Sequence, residues 1–394
     1  MKRFLVWPPV DAEDYGGTSA AAAYFSWFFG DVADQIVLPL ASEPSVSRHM
    51  AFSLGSVGAI HKVVVVRLIE PGLLDGVTHV LMRSKTPTAL PGNAKCFKMP
   101  GSTKIDVSEG SKTDPLYYYI GSPESEPQDA YHCVLFTYWL EGGRNDRFLK
   151  ESQERLKACK ARLLPGQPVS VFGTGPSIAE VDPKNHRFDA SVICNTIVKN
   201  RKFCDALNVA VIVASDCHFH FSCNQYAFQF LSDLRYQMSN SAAIYVTFDK
   251  FAPFVVRKVA ELQGRICGIP AGRDTFGYNF DEDFRVLPGE SVVNMFMLPV
   301  ACYLSDNVRL CGFTGRAPND SYFWSHADAF QYQDLLPTVR DTHPGFFKDR
   351  DYDAYGETVG QQLSSRVAVA RSNGIEIQSL TTSFYKGLSV DGSR

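Results

Sequence analysis

The sequence predicts an α/β protein built from two open parallel-sheet domains, and three observations carry that prediction. Short apolar runs recur along the chain and end in polar or glycine-rich turns, as strands buried on both faces do. One of them, Val169–Phe172, passes sharply through Gly173-Thr174-Gly175-Pro176-Ser177 into a helix-like stretch, the strand–turn–helix junction of such sheets. The length of 394 residues, 45% apolar and 21% charged, exceeds one ordinary core. It suits two domains of about 150–220 residues each.

The elements follow in order. Arg3–Trp7 reads as a first strand, because Pro8-Pro9 and Asp11 cut its apolar run too short for a leader peptide. A loop with Asp11, Glu13 and Asp14 leads to Gly16-Gly17-Thr18-Ser19 and an alanine- and aromatic-rich helix through Phe29; the acidic side chains suit a helix start. Strands are predicted at Gln35–Leu38, Val63–Ile69 and Thr78–Met82. Residues 84–128, rich in Pro, Gly, Ser and Lys, read as long loops or a β-excursion with a strand at Leu116–Ile120, a kind of region that is often functional. Arg144–Leu163 is a charged helix stopped by Leu164-Pro165-Gly166, which puts the domain boundary there, with domains at 1–163 and 164–394.

In the second domain, Phe188–Asn195 and Ala210–Asp216 follow Val169–Phe172 as strand-like runs ending in an amide and a carboxylate. Ligands of open parallel sheets bind outside the carboxyl ends of the strands. Thr174, Ser177, Asn195 and Asp216 are therefore expected to converge on one crevice. Gly173 and Gly175 allow close backbone approach, Pro176 suits a first helical turn, and the following amides with the Ser177 hydroxyl favour an anion, a phosphate first of all. The competing reading is a tight turn that binds nothing. Ser291, ahead of an apolar helix start at Val292–Leu298, is either a helix cap or a ligand contact. Cys217-His218-Phe219-His220-Phe221-Ser222-Cys223 lacks a recognised zinc spacing and reads as aromatic packing, with His218 and His220 sharing a strand face.

Several motifs, taken in order, resemble the bacterial sialyltransferases that use CMP-sugars and their relatives, the retaining β-Kdo transferases of surface polysaccharide assembly. They are Gly-Thr-Gly-Pro-Ser-Ile at 173–178, Cys-Asn-Thr at 194–196, Glu-Ser-Val-Val at 290–293 and Cys-Gly-Phe-Thr-Gly at 311–315. His-Pro at 343–344 and the closing 373–383 stretch complete the set, so the resemblance spans roughly residues 166–386. It implies two Rossmann-like domains facing a cleft, the GT-B-like layout. It also implies a CMP-sugar donor held by Gly173, Thr174, Gly175, Ser177, Asn195, Ser291, Gly312, Thr314 and Thr382. His343 becomes a candidate phosphate contact or acid/base, with His326 second. The departures are Thr174 where the family has Asn, Gly-Phe-Thr where it has Gly-Ile-Asp, and Asp216 where sialyltransferases carry an amide. A carboxylate there can attack an anomeric carbon, which favours a retaining enzyme and Kdo; helix capping is the competing role.

Composition narrows the alternatives. A formal net charge of −3 gives no basic field for nucleic acid. Ten scattered cysteines suit a reducing cytoplasm, and no apolar run is long enough to span a membrane, leaving peripheral attachment at its inner face open. No metal or other cofactor is expected, since Asp281-Glu282-Asp283 and the acidic positions in 349–353 read as solvated surface. The expected partners are the CMP-sugar and a saccharide or lipid-linked saccharide acceptor. Rival readings are an inverting sialyl or nonulosonate transferase, a pterin pyrophosphokinase-like enzyme, and a non-catalytic nucleotide-binding scaffold of envelope assembly.

Overall fold

Two wholly parallel sheets organise the chain in a computed structural model that describes residues 1–7, 9–11, 13–15, 17–41, 62–66, 76–83, 116–119, 130–184, 188–316, 326–339, 351–385 and 387–388. The first contains β1 (Arg3–Trp7), β2 (Gln35–Pro39), β3 (Val63–Val66), β4 (His79–Met82) and β5 (Leu116–Tyr119), in the order β3-β2-β1-β4-β5. The second contains β6 (Val169–Phe172), β7 (Ala190–Cys194), β8 (Val209–Val213), β9 (Ile244–Phe248), β10 (Ile266–Ile269), β11 (Asn307–Cys311) and β12 (Glu376–Ser379), in the order β10-β9-β8-β7-β6-β11-β12. The expected α/β class with parallel sheets is what forms.

Contacts divide the chain into two units, but not at the expected boundary. One unit comprises Met1–Gly143, Phe221–Phe228 and Leu335–Lys348; the other comprises Arg144–His220, Gln229–Asp334 and Asp349–Arg394. The charged helix, found at Asp146–Ala161, thus belongs to the second unit. The reason is its buried side. Leu149, Ser152, Leu156 and Cys159 face inward, Gly268 N donates to Ser152 Oγ at 3.1 Å, and Arg155 donates to Ile266 O at 2.9 Å. These are outward groups of the edge strand β10, so the helix shields an edge that would otherwise recruit another strand. Charge on its other face hid this role.

In the first unit, Phe4, Leu5, Val6, Ile36, Val37 and Leu38 are fully buried between helices, as a doubly covered sheet requires. Helix Thr18–Phe29 buries nearly its whole circumference, including Tyr24, Phe25, Phe28 and Phe29. Its Phe29 meets Phe136 of helix Tyr131–Leu140 edge-on at 5.1 Å. The detached segment 221–228 completes this core: Trp27 Nε1 donates to Phe221 O at 2.9 Å and the Trp27 ring lies 5.0 Å from Phe228.

In the second unit, β6, β7 and β8 are buried at every residue, whereas the edge strand β12 alternates exposed Glu376 and Gln378 with buried Ile377 and Ser379. The chain runs from β6 outward to β10, then returns to place β11 and β12 on the other side of β6. The switch point therefore lies between β6 and β11. No helix among the described residues is long and apolar enough to cross a membrane.

Candidate functional site

At the carboxyl end of β6 the turn is tight, but its glycines serve the neighbouring loop. A Cβ on Gly175 would sit 2.6 Å from Thr314 Oγ1 and 2.7 Å from Gly312 O; one on Gly173 would sit 2.8 Å from Gly312 O. Gly312 adopts φ 74°, which a side chain disfavours, and faces the Gly173 carbonyl. Gly173 N donates to Cys311 O and Gly175 N to Gly312 O, at 2.8 and 2.9 Å. The two loops of the switch point are thus sewn together through their backbones.

The expected cradle of free amides changes accordingly. Pro176–Glu180 is a five-residue 3-10 helix, not the start of an α-helix. Ser177 N donates to Thr314 Oγ1 at 2.9 Å, Thr314 Oγ1 donates to Ser177 Oγ at 2.8 Å, and Ser177 Oγ donates on to Thr381 Oγ1 at 3.2 Å. Ile178 N bonds Gly175 O at 3.0 Å. Ser177 and Thr314, both expected on the donor, are satisfied by each other. Among the described residues, the amide of Thr174 is the N–H of this turn that no protein acceptor engages.

Thr174 also anchors a segment that crosses the strand ends. Its Oγ1 shares a 2.7 Å hydrogen bond with His326 Nδ1, and its carbonyl accepts from Ala327 N at 3.0 Å. Thr196 Oγ1 donates to Phe330 O at 2.6 Å, and Lys199 Nζ donates to the carbonyls of Asp328 and Gln331. Tyr332 OH reaches buried Asp233 at 2.6 Å. Desolvation pushes the His326 imidazole down to about 4, so it is neutral at physiological pH. His343 lies outside the described residues.

The end of β7 differs from a simple turn. Asn195 takes φ 46°, and its buried Oδ1 has no hydrogen-bond partner. Left-handed backbone is uncommon for a residue with a side chain, and a buried polar atom without a partner is costly. The other described non-glycine residue with positive φ is Ser291, at 69°. It begins the helix that passes through the π-helical stretch Val293–Met297 into Leu298–Leu304 and then feeds β11. That helix runs antiparallel to the strands it packs on, so its N-terminus sits at their carboxyl edge. Both strained residues therefore occupy the carboxyl end of one sheet. Helix capping, one of the two roles open to Ser291, is not seen: its side chain accepts no amide of this helix.

Asp216 follows β8 and is half-buried. Its side chain accepts from Ser215 Oγ at 3.0 Å, while its carbonyl accepts from Phe219 N and His220 N to open the short helix Cys217–His220. The carboxylate accepts no amide of that helix and so does not cap it. His218 and His220 therefore lie on a helix and share no strand face. Among the described residues, no group of three His, Cys, Asp or Glu side chains is arranged to hold a metal. Thr382 is exposed, and its amide donates to Glu180 Oε2 at 2.9 Å.

Sequence reading missed the trio behind Ser291: buried Asn294 and Arg366, and half-buried Gln362. Its one legible signal was a charged residue in register with the apolar Val359 and Leu363 on the inner face of helix Tyr352–Ser372.

No family model and no curated protein matches this sequence. Among solved structures, the chain is similar to the sialyltransferase CstII from Campylobacter jejuni, in complex with a substrate analogue, cytidine-5'-monophosphate. The TM-score is 0.23 and the identity 12%, over 59% of this chain and 90% of that one. Likeness of that size leaves function to be argued from this chain's own residues.

Proposed function

We propose that this chain is a glycosyltransferase that moves an acidic sugar, Kdo in the first instance, from its CMP conjugate to a saccharide acceptor of bacterial surface polysaccharide. The observation that carries the reading is Asn195: strained, at the carboxyl end of a central strand next to the switch point, with a buried carbonyl oxygen that lacks a donor. A nucleotide supplies such donors through ribose hydroxyls or the cytosine amino group. The Thr174 amide, and the start of the Ser291 helix, supply the positive end for its phosphate. The ordered motifs at 173–178, 194–196, 290–293 and 311–315 make CMP the first nucleotide to test.

In this proposal Asp216 attacks the anomeric carbon as CMP departs, forming a glycosyl ester that the acceptor hydroxyl then displaces; two inversions give retention. Ser215, donating to one carboxylate oxygen, fixes its orientation. Amides and the helix start neutralise the leaving phosphate without a divalent cation, with His343 as a further contact. The work is assigned to the cytoplasm, at the inner face of the membrane where a lipid-linked acceptor is presented.

A thermal-shift panel of CMP, UDP, GDP and ATP tests the reading, because a ligand of the native state raises Tm. CMP is expected to stabilise the chain at millimolar concentration. No CMP shift alongside a UDP or ATP shift overturns the assignment. Transfer that is lost in chelator and restored by magnesium favours the pyrophosphokinase alternative.

A further inference from the structure

Behind Ser291 lies a buried cation with no anion. Arg366 is 4% exposed, and among the described residues no carboxylate pairs with it. Its guanidinium donates to Pro288 O at 2.9 Å, to Leu287 O at 3.4 Å and to Asn294 O. Gln362, one turn earlier, accepts Glu290 N at 2.8 Å. Asn294 Nδ2 donates to Glu290 O at 3.0 Å and to Val359 O at 3.1 Å. Every residue from Leu287 to Glu290 except Gly289 is held by one of these three side chains. Gly289 is the point of closest approach, where a Cβ would meet Arg366 Nη2 at 2.6 Å and Gln362 Oε1 at 2.7 Å.

What this clamp holds is the turn that delivers Ser291 at φ 69° and the helix start behind it. The π-helical stretch frees the Asn294 carbonyl from the ordinary α-helical pattern, and Arg366 takes it up; such bulges recur at functional sites. Desolvation lowers the guanidinium to about 10, so it keeps its charge at neutral pH. Holding a buried charge on three carbonyls and the face of the Phe276 ring, 5.8 Å away, without an anion is costly, and a planar fork reaching all three carbonyls is geometry that lysine cannot reproduce.

We propose that Arg366, with Gln362 and Asn294, is a positioning residue that acts through Ser291, fixing the 287–291 turn so that the Ser291 hydroxyl and the adjoining helix start meet the phosphate-bearing ligand. The inference rests on the CMP reading above. Calorimetric titration of CMP into the full chain comes first, and absence of binding by the wild type removes the reading and this inference together. With binding established, Arg366→Lys is expected to weaken CMP about tenfold, and Ser291→Ala comparably. The double variant is expected to be no weaker than the worse single one, because both changes remove one interaction. A purely structural Arg366 gives losses that multiply. Multiplying losses, or wild-type affinity in a folded Arg366→Lys chain, overturn the proposal. If circular dichroism shows Arg366→Lys to be unfolded, Gln362→Leu takes its place in the same cycle: non-multiplying losses support the proposal, and multiplying losses or wild-type affinity overturn it.

Discussion

Exchanging Asp216 for asparagine keeps the shape of the side chain and its hydrogen bond from Ser215, and removes only the charge. If the carboxylate is the nucleophile, Asp216→Asn lowers transfer by on the order of hundredfold or more while CMP affinity and melting temperature stay at wild-type values. Steady-state rates set beside a CMP titration check this. Near-normal turnover, or a product of inverted anomeric configuration, returns Asp216 to a structural role at the opening of the Cys217–His220 helix. The geometry makes this a fair contest. No amide of that helix donates to the Asp216 carboxylate, which accepts from Ser215 instead, so the side chain is not spent on a cap, something sequence alone could not tell.

At the scale of elements, the paired loops after β6 and β11 form one piece. Gly175→Ala would drive a methyl group against Thr314 Oγ1 and Gly312 O, costing about 1–3 kcal/mol of stability. Gly264→Ala, where a Cβ meets nothing within 4 Å, is the matched control and is expected to change stability by under about 0.5 kcal/mol. Urea unfolding of the two variants decides. The same loops mark where sequence legibility ends. The strands β6, β7 and β8, with their polar ends, were readable because burial on both faces leaves a continuous apolar run bounded by a turn. What the Ser177 amide bonds to was not, since Thr314 lies 137 positions away and nothing local distinguishes an amide aimed at a phosphate from one aimed at a threonine. The helix Asp146–Ala161 was legible as a helix but placed at the end of the first domain, because an edge-covering helix wears its charges outward. Asn195 was legible for the same reason as the strands: an amide that closes an apolar run stands out.

Across the whole molecule, each unit holds a histidine neutral. His79, its ring tilted against Phe4 at 4.6 Å in the first unit, and His326 in the second are both pushed by burial down to about 4. Unfolding restores each to its ordinary value near 6.5, so the unfolded chain binds more protons between those limits. Stability is therefore complete above about pH 6.5 and falls as pH drops toward 4, by up to about 3 kcal/mol for His326 and by less for the partly solvated His79. Burial raises the Asp249 carboxyl, which works in the opposite sense and blunts the fall. Urea midpoints measured from pH 7 to 4 should decline, and His79→Phe or His326→Asn should each flatten the decline in part. A decline unchanged in both variants would show that carboxylates alone set the acid limit.

The return of residues 221–228 to the core of the first unit has a consequence for the order in which the chain is made. Helix Thr18–Phe29 leaves the ribosome early, yet the carbonyl that takes the Trp27 indole N–H belongs to Phe221. At roughly 5–20 residues per second, the first unit waits several seconds after its residue 143 is synthesised before that partner exists. During the wait a helix apolar on nearly every side has an unfinished face. The exposure lasts as long as residues 144–220 take to be synthesised, so it lengthens as that stretch is translated more slowly.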